Sequence, residues 1–405
     1  MKPVYLDNNA TTRTDPEAVA VMLPFFTEHY GNASSSHAFG AEVAGAVRNA
    51  RRQLQGLLGA AHDHEVVFLS GGTEADNAAI LSALEANPER NRIVTSAVEH
   101  PAILSCVSHL QQTRGVEVVM IGVDSDGRLD IDAYREALTP QTAIASIMWA
   151  NNENGVLNPV EELANLAHEA GALFHTDAVQ AAGKVPIDLS ESAIDMLSLS
   201  GHKFHGPKGI GALFVRKGVK FRPMLRGGRQ ERGRRAGTEN IPAIVGMGKA
   251  AEIALARLAE EQIRVRSLRN RLEKGILQQI DDCRVLGGAL DRLPNTSNIA
   301  FDCLDSEAIL HKLEQAGIAA SSGSACASGS MEPSHVLRAM NVPVSLLQGA
   351  IRFSLSRENT GQDVDRVLAE LPGIVSHLRS MSPLWRERHP EAEALPESLI
   401  ANGGR

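Results

Sequence analysis

The sequence predicts an α/β protein in which a large domain on a mostly parallel sheet is joined to a smaller α/β domain. Three observations carry this. Short apolar runs alternate with helical patterns from about residue 60 to 215, the arrangement of a parallel sheet covered by helices on both faces. The pattern turns strongly helical from about 243 to 280. A shorter mixed region follows that helix.

Taken in order, EVVFLS (65–70) reads as a strand and GGTEADNAAILSALEA as the helix leaving it. RIVTSA (92–97), VEVVMIG (116–122), TAIASIMWA (142–150), ALFHTD (172–177), DMLSLS (195–200) and GALFVR (211–216) are further strands, with helices such as PVEELANLAHEAG between several of them. Beyond the long helix, NIAF (298–301), SEAILHKLEQAG and AIRFSLS (350–356) give strand, helix and strand. The expected division is 15–255 for the large domain, 1–14 with 256–385 for the small one, and 386–405 for a polar tail. SSGSACASGS (321–330) holds five serines, two glycines and Cys326, and reads as a mobile, solvated loop of the small domain.

With 405 residues, 43% hydrophobic and 22% charged, the composition excludes a disordered or fibrous chain. A net charge of −8 gives a nucleic-acid partner no general electrostatic support. The start MKPVYLDNNATT lacks a signal-peptide core, and no apolar run approaches the roughly 18 residues of a membrane helix; a soluble, cytoplasmic protein is expected. Cys106, Cys283, Cys303 and Cys326 show no disulfide or zinc spacing. The first three have apolar neighbours and read as core filler; Cys326 is the exception.

Ligands of such sheets bind beyond the carboxyl ends of the strands, so chemistry is sought there. SGGTEADN (70–77) suits an anion at a helix N-terminus, with Gly72 giving close approach and Thr73 a hydroxyl. It also fits a capping box from Thr73 to Asp76. HTDAVQ (175–180) ends a strand at Asp177, and SLSGHKFHG (198–206) places Lys203 after another. A buried lysine with a lowered pKa can form a Schiff base with an aldehyde, and a carboxylate is the partner that a pyridoxal ring nitrogen requires. The competing reading is a metal-dependent hydrolase using His175, Asp177 and His202. It lacks a helical ligand spacing and sets a lysine among the ligands.

YLDNNATT, SGGTEADN, EHPAIL, NNENG, HTDAVQ, SGHKFHGPKG, RAGTEN and SSGSAC, in that order, resemble the motifs of the cysteine desulfurases, pyridoxal-phosphate enzymes of the aspartate-aminotransferase fold (fold type I). The resemblance runs from about residue 4 to about 385. DNNATT, MWANNENG and GTEN look like the NifS branch that serves nitrogenase assembly. A general iron–sulfur or tRNA-thiolation desulfurase and a selenocysteine lyase are the alternatives.

The resemblance implies roles residue by residue. Lys203 would carry pyridoxal 5'-phosphate and shuttle protons at the substrate Cα, with Asp177 at the ring nitrogen. His100 would stack on the ring and act in acid–base steps. Asn152 and Gln180 would bond the phenolic oxygen. Gly72, Thr73, Ser200 and His202 would bind the phosphate, and Thr238 the phosphate of the neighbouring subunit of a homodimer. Arg352, with Asn152, would bind the carboxylate of L-cysteine. Cys326 would take the substrate sulfur as a persulfide and deliver it to an iron–sulfur scaffold protein. No resident metal is implied; Cys326 is a candidate contact of a nascent iron–sulfur cluster. The six arginines of RPMLRGGRQERGRRAG (222–237) lack stacking aromatics, so direct nucleic-acid binding is not expected.

Overall fold

A computed structural model describes residues 3–322 and 333–390. Cys326, and the part of the polar tail beyond residue 390, lie outside these. In chain order the elements begin with β1 (Val4–Tyr5), α1 (Pro16–Met22), α2 (Pro24–Thr27) and α3 (Ala38–Leu58). The alternating core follows: β2 (Val66–Leu69), α4 (Gly72–Ala86), β3 (Arg92–Ser96), α5 (Pro101–Arg114), β4 (Glu117–Ile121), α6 (Ile131–Ala137), β5 (Thr142–Ser146), α7 (Val160–Glu169), β6 (Leu173–Asp177), β7 (Met196–Ser200) and β8 (Gly211–Val215). After α8 (Ile241–Gln279) come β9 (Cys283–Leu286), β10 (Thr296–Phe301), α9 (Ser306–Gln315), β11 (Ile318–Ala319), α10 (His335–Ala339), α11 (Val344–Leu347), β12 (Ala350–Ser354), α12 (Gly361–Met381) and α13 (Pro383–Arg388).

Seven strands form the large sheet in the order β2-β8-β7-β6-β5-β3-β4. Only β8 runs against its neighbours β2 and β7; the pairs β3–β4, β3–β5, β5–β6 and β6–β7 are parallel. Both faces are covered, so the strands are apolar runs rather than alternating ones. Within β2, Val66 and Phe68 join the core shared with α3, α7 and the first half of α8. Val67 and Leu69 join the opposite core with α4 and α5. The helix α4 can lie close to the sheet because Ala75, Ala78, Ala79 and Ala83 face it.

A second sheet, β12-β10-β9, packs its own core against the later part of α8, α9 and α12. The chain start belongs with it, since β1 pairs with β11 through Val4↔Ile318 and Tyr5↔Ala319. The helix α8 has 39 residues, about 58 Å at 1.5 Å per residue, and runs from the core it shares with α3 and α7 to the core of the second sheet. Position 255 falls inside it, so the chain passes between the two cores without a loop there. Among the described residues no helix is long and apolar enough to cross a membrane.

Candidate active site

The turns at the carboxyl ends of β2, β5, β6 and β7, with the turn after β3, converge on one cavity of about 260 Å³. Gly72, Thr73, His100, Asn152, Asp177, Gln180, Ser200, His202, Lys203 and Arg352 all line it. Ten of the twelve residues predicted from sequence therefore meet in one place. Thr238 does not join them within one chain: it is exposed and lines a separate cavity of about 230 Å³ beside Gly237 and Asn240. Cys326 lies outside the described residues.

Lys203 is placed by the short turn after β7. Its Nζ donates to the backbone carbonyls of Asn9 at 2.6 Å and Ala10 at 2.9 Å. Asp177 ends β6, is 6% exposed, and its Oδ1 accepts the Val179 N–H at 2.8 Å. Burial pushes its carboxyl up, against the pull of His100, the Val179 N–H and Lys203. A cationic ring nitrogen set against this carboxylate would offset that burial. Gly72 opens α4 behind Gly71, whose position supplies no side-chain cap, so the first N–H groups of a fifteen-residue helix are left for an anion. A Cβ at Gly72 would come within 2.8 Å of Val179 Cγ2; the glycine keeps this wall open. The residues thus suit an anionic aromatic aldehyde: an amine, a buried carboxylate and an uncapped helix start.

His100 caps α5 by accepting the Ala102 N–H on Nδ1 at 3.1 Å. The neutral ring must then carry its proton on Nε2. Burial is the main cause lowering its pKa, with Asp177 opposing and Lys203 and His335 adding to it. Burial also takes His202 down to about 4, helped by Lys203, Lys208 and Lys184; its Nδ1 lies 3.1 Å from Thr11 Oγ1. Arg352 comes from β12 of the second sheet. It donates to Asp7 Oδ1 at 2.7 Å and the Asn152 carbonyl at 3.1 Å.

Two alternative readings fall away. The Thr73–Asp76 capping box is absent: Gly71 is the cap, and it is Glu74 Oε2 that accepts the Ser70 N–H, at 2.7 Å. Asp76 instead turns inward, 1% exposed, into the cavity wall. The hydrolase reading fails on His175, whose ring nitrogens lie 2.8 Å from the Ser146 and Ser198 hydroxyls; burial lowers its pKa to about 3. No cluster of potential metal ligands occurs among the described residues. In the arginine-rich segment, Arg226 pairs with Glu85 and Arg235 with Glu74, while Arg234 bonds the His64 carbonyl, so three of its six arginines are engaged within the chain.

Sequence reasoning missed Asn9, which lines the cavity, and Lys184, which donates to Gln180, and it considered Asp76 only as a cap. Asn9 sits in a quoted motif, and its carbonyl receives both Lys203 and, at 2.9 Å, Gln180 Nε2. Lys184 follows Gln180 by four positions, a spacing that carries meaning only once the turn is known.

Residues 4–367 match the Aminotransferase class-V family, and the chain belongs to it. Within that family it is a cysteine desulfurase, a class whose cofactor is pyridoxal 5'-phosphate. It is 67% identical over 385 residues to the cysteine desulfurase of Gluconacetobacter diazotrophicus, covering 95% of this chain and 96% of that one. It is 56% identical over 390 residues to the cysteine desulfurase NifS of Azotobacter vinelandii, covering 96% and 97%. The solved structure of a NifS-like protein superposes with a TM-score of 0.87 at 36% identity, over 93% of this chain and all of that one.

Proposed function

We propose that the 260 Å³ cavity is where this chain converts L-cysteine to L-alanine, and that the sulfur leaves on Cys326 for iron–sulfur cluster assembly, with nitrogenase maturation as its destination. The observation that carries the reading is the Lys203 amine, held at 2.6 Å on the Asn9 carbonyl, in the cavity lined by Asp177, Gln180 and His100.

Lys203 would hold the cofactor's aldehyde carbon, Asp177 its ring nitrogen and Gln180 and Asn152 its phenolic oxygen. Gly72, Thr73, Ser200 and His202 would hold its phosphate. Bound there, pyridoxal phosphate supplies an electron sink for the substrate Cα. Arg352 offers its guanidinium fork to the substrate carboxylate, and Lys203 moves the Cα proton. His100, which lines the cavity, would act in acid–base steps through Nε2. The Cys326 thiolate attacks the substrate sulfur; the C–S bond breaks with its electron pair going to carbon, which is protonated to the methyl of alanine, and the sulfur stays on Cys326 as a persulfide. Cys106, Cys283 and Cys303 do not suit this task. Burial pushes the first two up to about 11 and raises the third, and reactivity needs the thiolate.

The reading is of a cytoplasmic homodimer that passes sulfur to a scaffold protein. Leu23, Phe26, Tyr30 and Phe39 are 54–70% exposed, an apolar surface that suits a second copy. The distinct cores that the first half of α8 shares with α3 and α7 and its later part shares with the second sheet support the domain division at 255, and Val4 and Leu6 in the second of them support placing 1–14 on the small domain. The NifS-like motifs and the NifS relative support the nitrogenase assignment.

The test is borohydride reduction of the holoenzyme followed by peptide mapping and product analysis with L-cysteine. The cofactor is expected on Lys203, and Lys203→Ala loses the reducible link and at least about 10³-fold in rate. The product is alanine. A label on Lys184 or Lys208, or pyruvate as the product, refutes the reading.

A further inference from the structure

Lys184 has no part in the chemistry above, yet its amine is held against one of the cavity's residues. It lies four positions after Gln180, in the turn that follows β6, and its backbone carbonyl accepts Gln262 Nε2 of α8 at 2.9 Å. Its side chain does not line the larger cavity. It lines a neighbouring one of about 40 Å³, with Lys203, Glu261 and Arg357. Its Nζ donates to Gln180 Oε1 at 2.7 Å.

On the other side, Gln180 Nε2 donates to the Asn9 carbonyl at 2.9 Å, and Lys203 Nζ donates to the same carbonyl oxygen at 2.6 Å. The four groups form a chain from Lys184 through Gln180 and Asn9 to Lys203. A carbonyl oxygen only accepts, so the amide must turn its nitrogen toward Asn9. At the other end the Lys184 amine donates to the amide oxygen, the orientation that the Asn9 end requires. Both ends therefore fit one orientation of the amide. An amide nitrogen carries two hydrogens, one committed to Asn9, and the second is what Gln180 can give to a ligand in the cavity it lines.

We propose that Lys184 is a positioning residue of the active site, which locks the Gln180 amide so that Gln180 meets the cofactor only as a hydrogen-bond donor. This rests on the reading that the larger cavity holds pyridoxal phosphate. The chemistry recognised is an oxygen anion on an aromatic ring, which an amide nitrogen binds and an amide oxygen repels. Lys184 acts through Gln180 and touches no reacting atom. Burial, with Lys203 and Arg352, also holds its amine well below the usual lysine range.

The experiment measures cofactor dissociation from the holoenzyme and the pH titration of its visible absorption band, in the wild type, Lys184→Met, Gln180→Ala and the double variant. Lys184→Met is expected to weaken cofactor binding by about tenfold, the size of one hydrogen bond, and to move the midpoint of the band. A merely structural lysine would leave that midpoint in place. The double variant is expected to be no worse than Gln180→Ala alone, because the two residues act as one unit. Lys184→Arg, which keeps N–H donors, is expected to lose less than Lys184→Met. The proposal is overturned if Lys184→Met binds and titrates like the wild type, or if its effect adds in full to that of Gln180→Ala. It is overturned too if Gln180→Ala changes nothing, whereas failure of the cavity assignment itself would appear as a reduced cofactor attached elsewhere than Lys203.

Discussion

Glu99 precedes His100 and is buried to 0% exposure. Its Oε1 accepts from Ser96 Oγ at 2.6 Å and from the Met148 N–H at 2.9 Å, while Oε2 has no partner. Burial pushes its carboxyl up from 4.5 to about 8. The folded chain thus keeps a proton that the unfolded chain gives up, and the stability this group contributes falls as pH rises from about 4.5 to 8. Glu99→Gln keeps an acceptor at Oε1 and removes the titration. The variant is expected to match the wild type in urea midpoint near pH 5 and to overtake it toward pH 8, the gap growing by up to about 1.4 kcal/mol per pH unit. Parallel midpoints across that range would mean Glu99 is ionised in the folded state. His175, His202 and His205 work in the opposite sense. Their pKa values of about 3, 4 and 4 lie below that of an unfolded histidine, so stability is lost as pH falls below about 6.5. The two windows overlap between about 4.5 and 6.5, and there the carboxyl and the histidines pull stability in opposite directions.

The helix α4 shows how an element builds the site. Its start is uncapped, its flank is alanine, and Gly72 keeps Val179 at a distance that no Cβ could share. Gly72→Ala is expected to cost about 1–3 kcal/mol of local strain and to weaken cofactor binding by about tenfold or more. Gly71→Ala is the control. Nothing lies within 4 Å of a Cβ there and its backbone is extended, so affinity should stay within about threefold. Equal losses in the two variants, measured by equilibrium dialysis, would remove the close approach as the cause. The same helix marks what could be read in advance. Strand ends followed by small residues are visible in one dimension because strand length and turn composition are local, and so Asp177, Lys203 and Gly72 were legible. Asp76 was misread as a cap because capping and burial draw on the same residue types; only the helix's seat on the sheet separates them. Lys184 and Asn9 were not assigned because their partners depend on a turn and on a segment 194 residues from Lys203 in sequence. Strand order was legible as a class, parallel with helices on both faces, while the reversal of β8 was not, since a buried strand reads the same in either direction.

At the scale of the whole molecule, one chain assembles an amine, a carboxylate, an anion-binding helix start and an arginine, while Thr238 stands in a second cavity near the end of β2. That second cavity is also lined by Glu231, Arg235 and Glu239. The segment is held firmly: Glu231 takes the Arg51 guanidinium on both oxygens, at 2.8 and 2.6 Å, and also accepts the Phe68 N–H at 2.9 Å. A loop anchored by a buried ion pair, with its hydroxyl exposed, suits contact with another copy. Closed two-fold symmetry would then place each Thr238 at its partner's site. Lys203→Ala and Thr238→Val are each expected to be nearly inactive alone if the site is shared. Co-refolded in equal amounts, about half the dimers are hybrids, each with both defects in one site and none in the other. Activity should therefore return to about a quarter of the wild type, and desulfuration of L-cysteine read as alanine measures it. If Thr238 served its own chain, every hybrid would carry one defect per site and no activity would return. A fully active monomer in sedimentation would end the argument directly, because no partner would be present to complete the site.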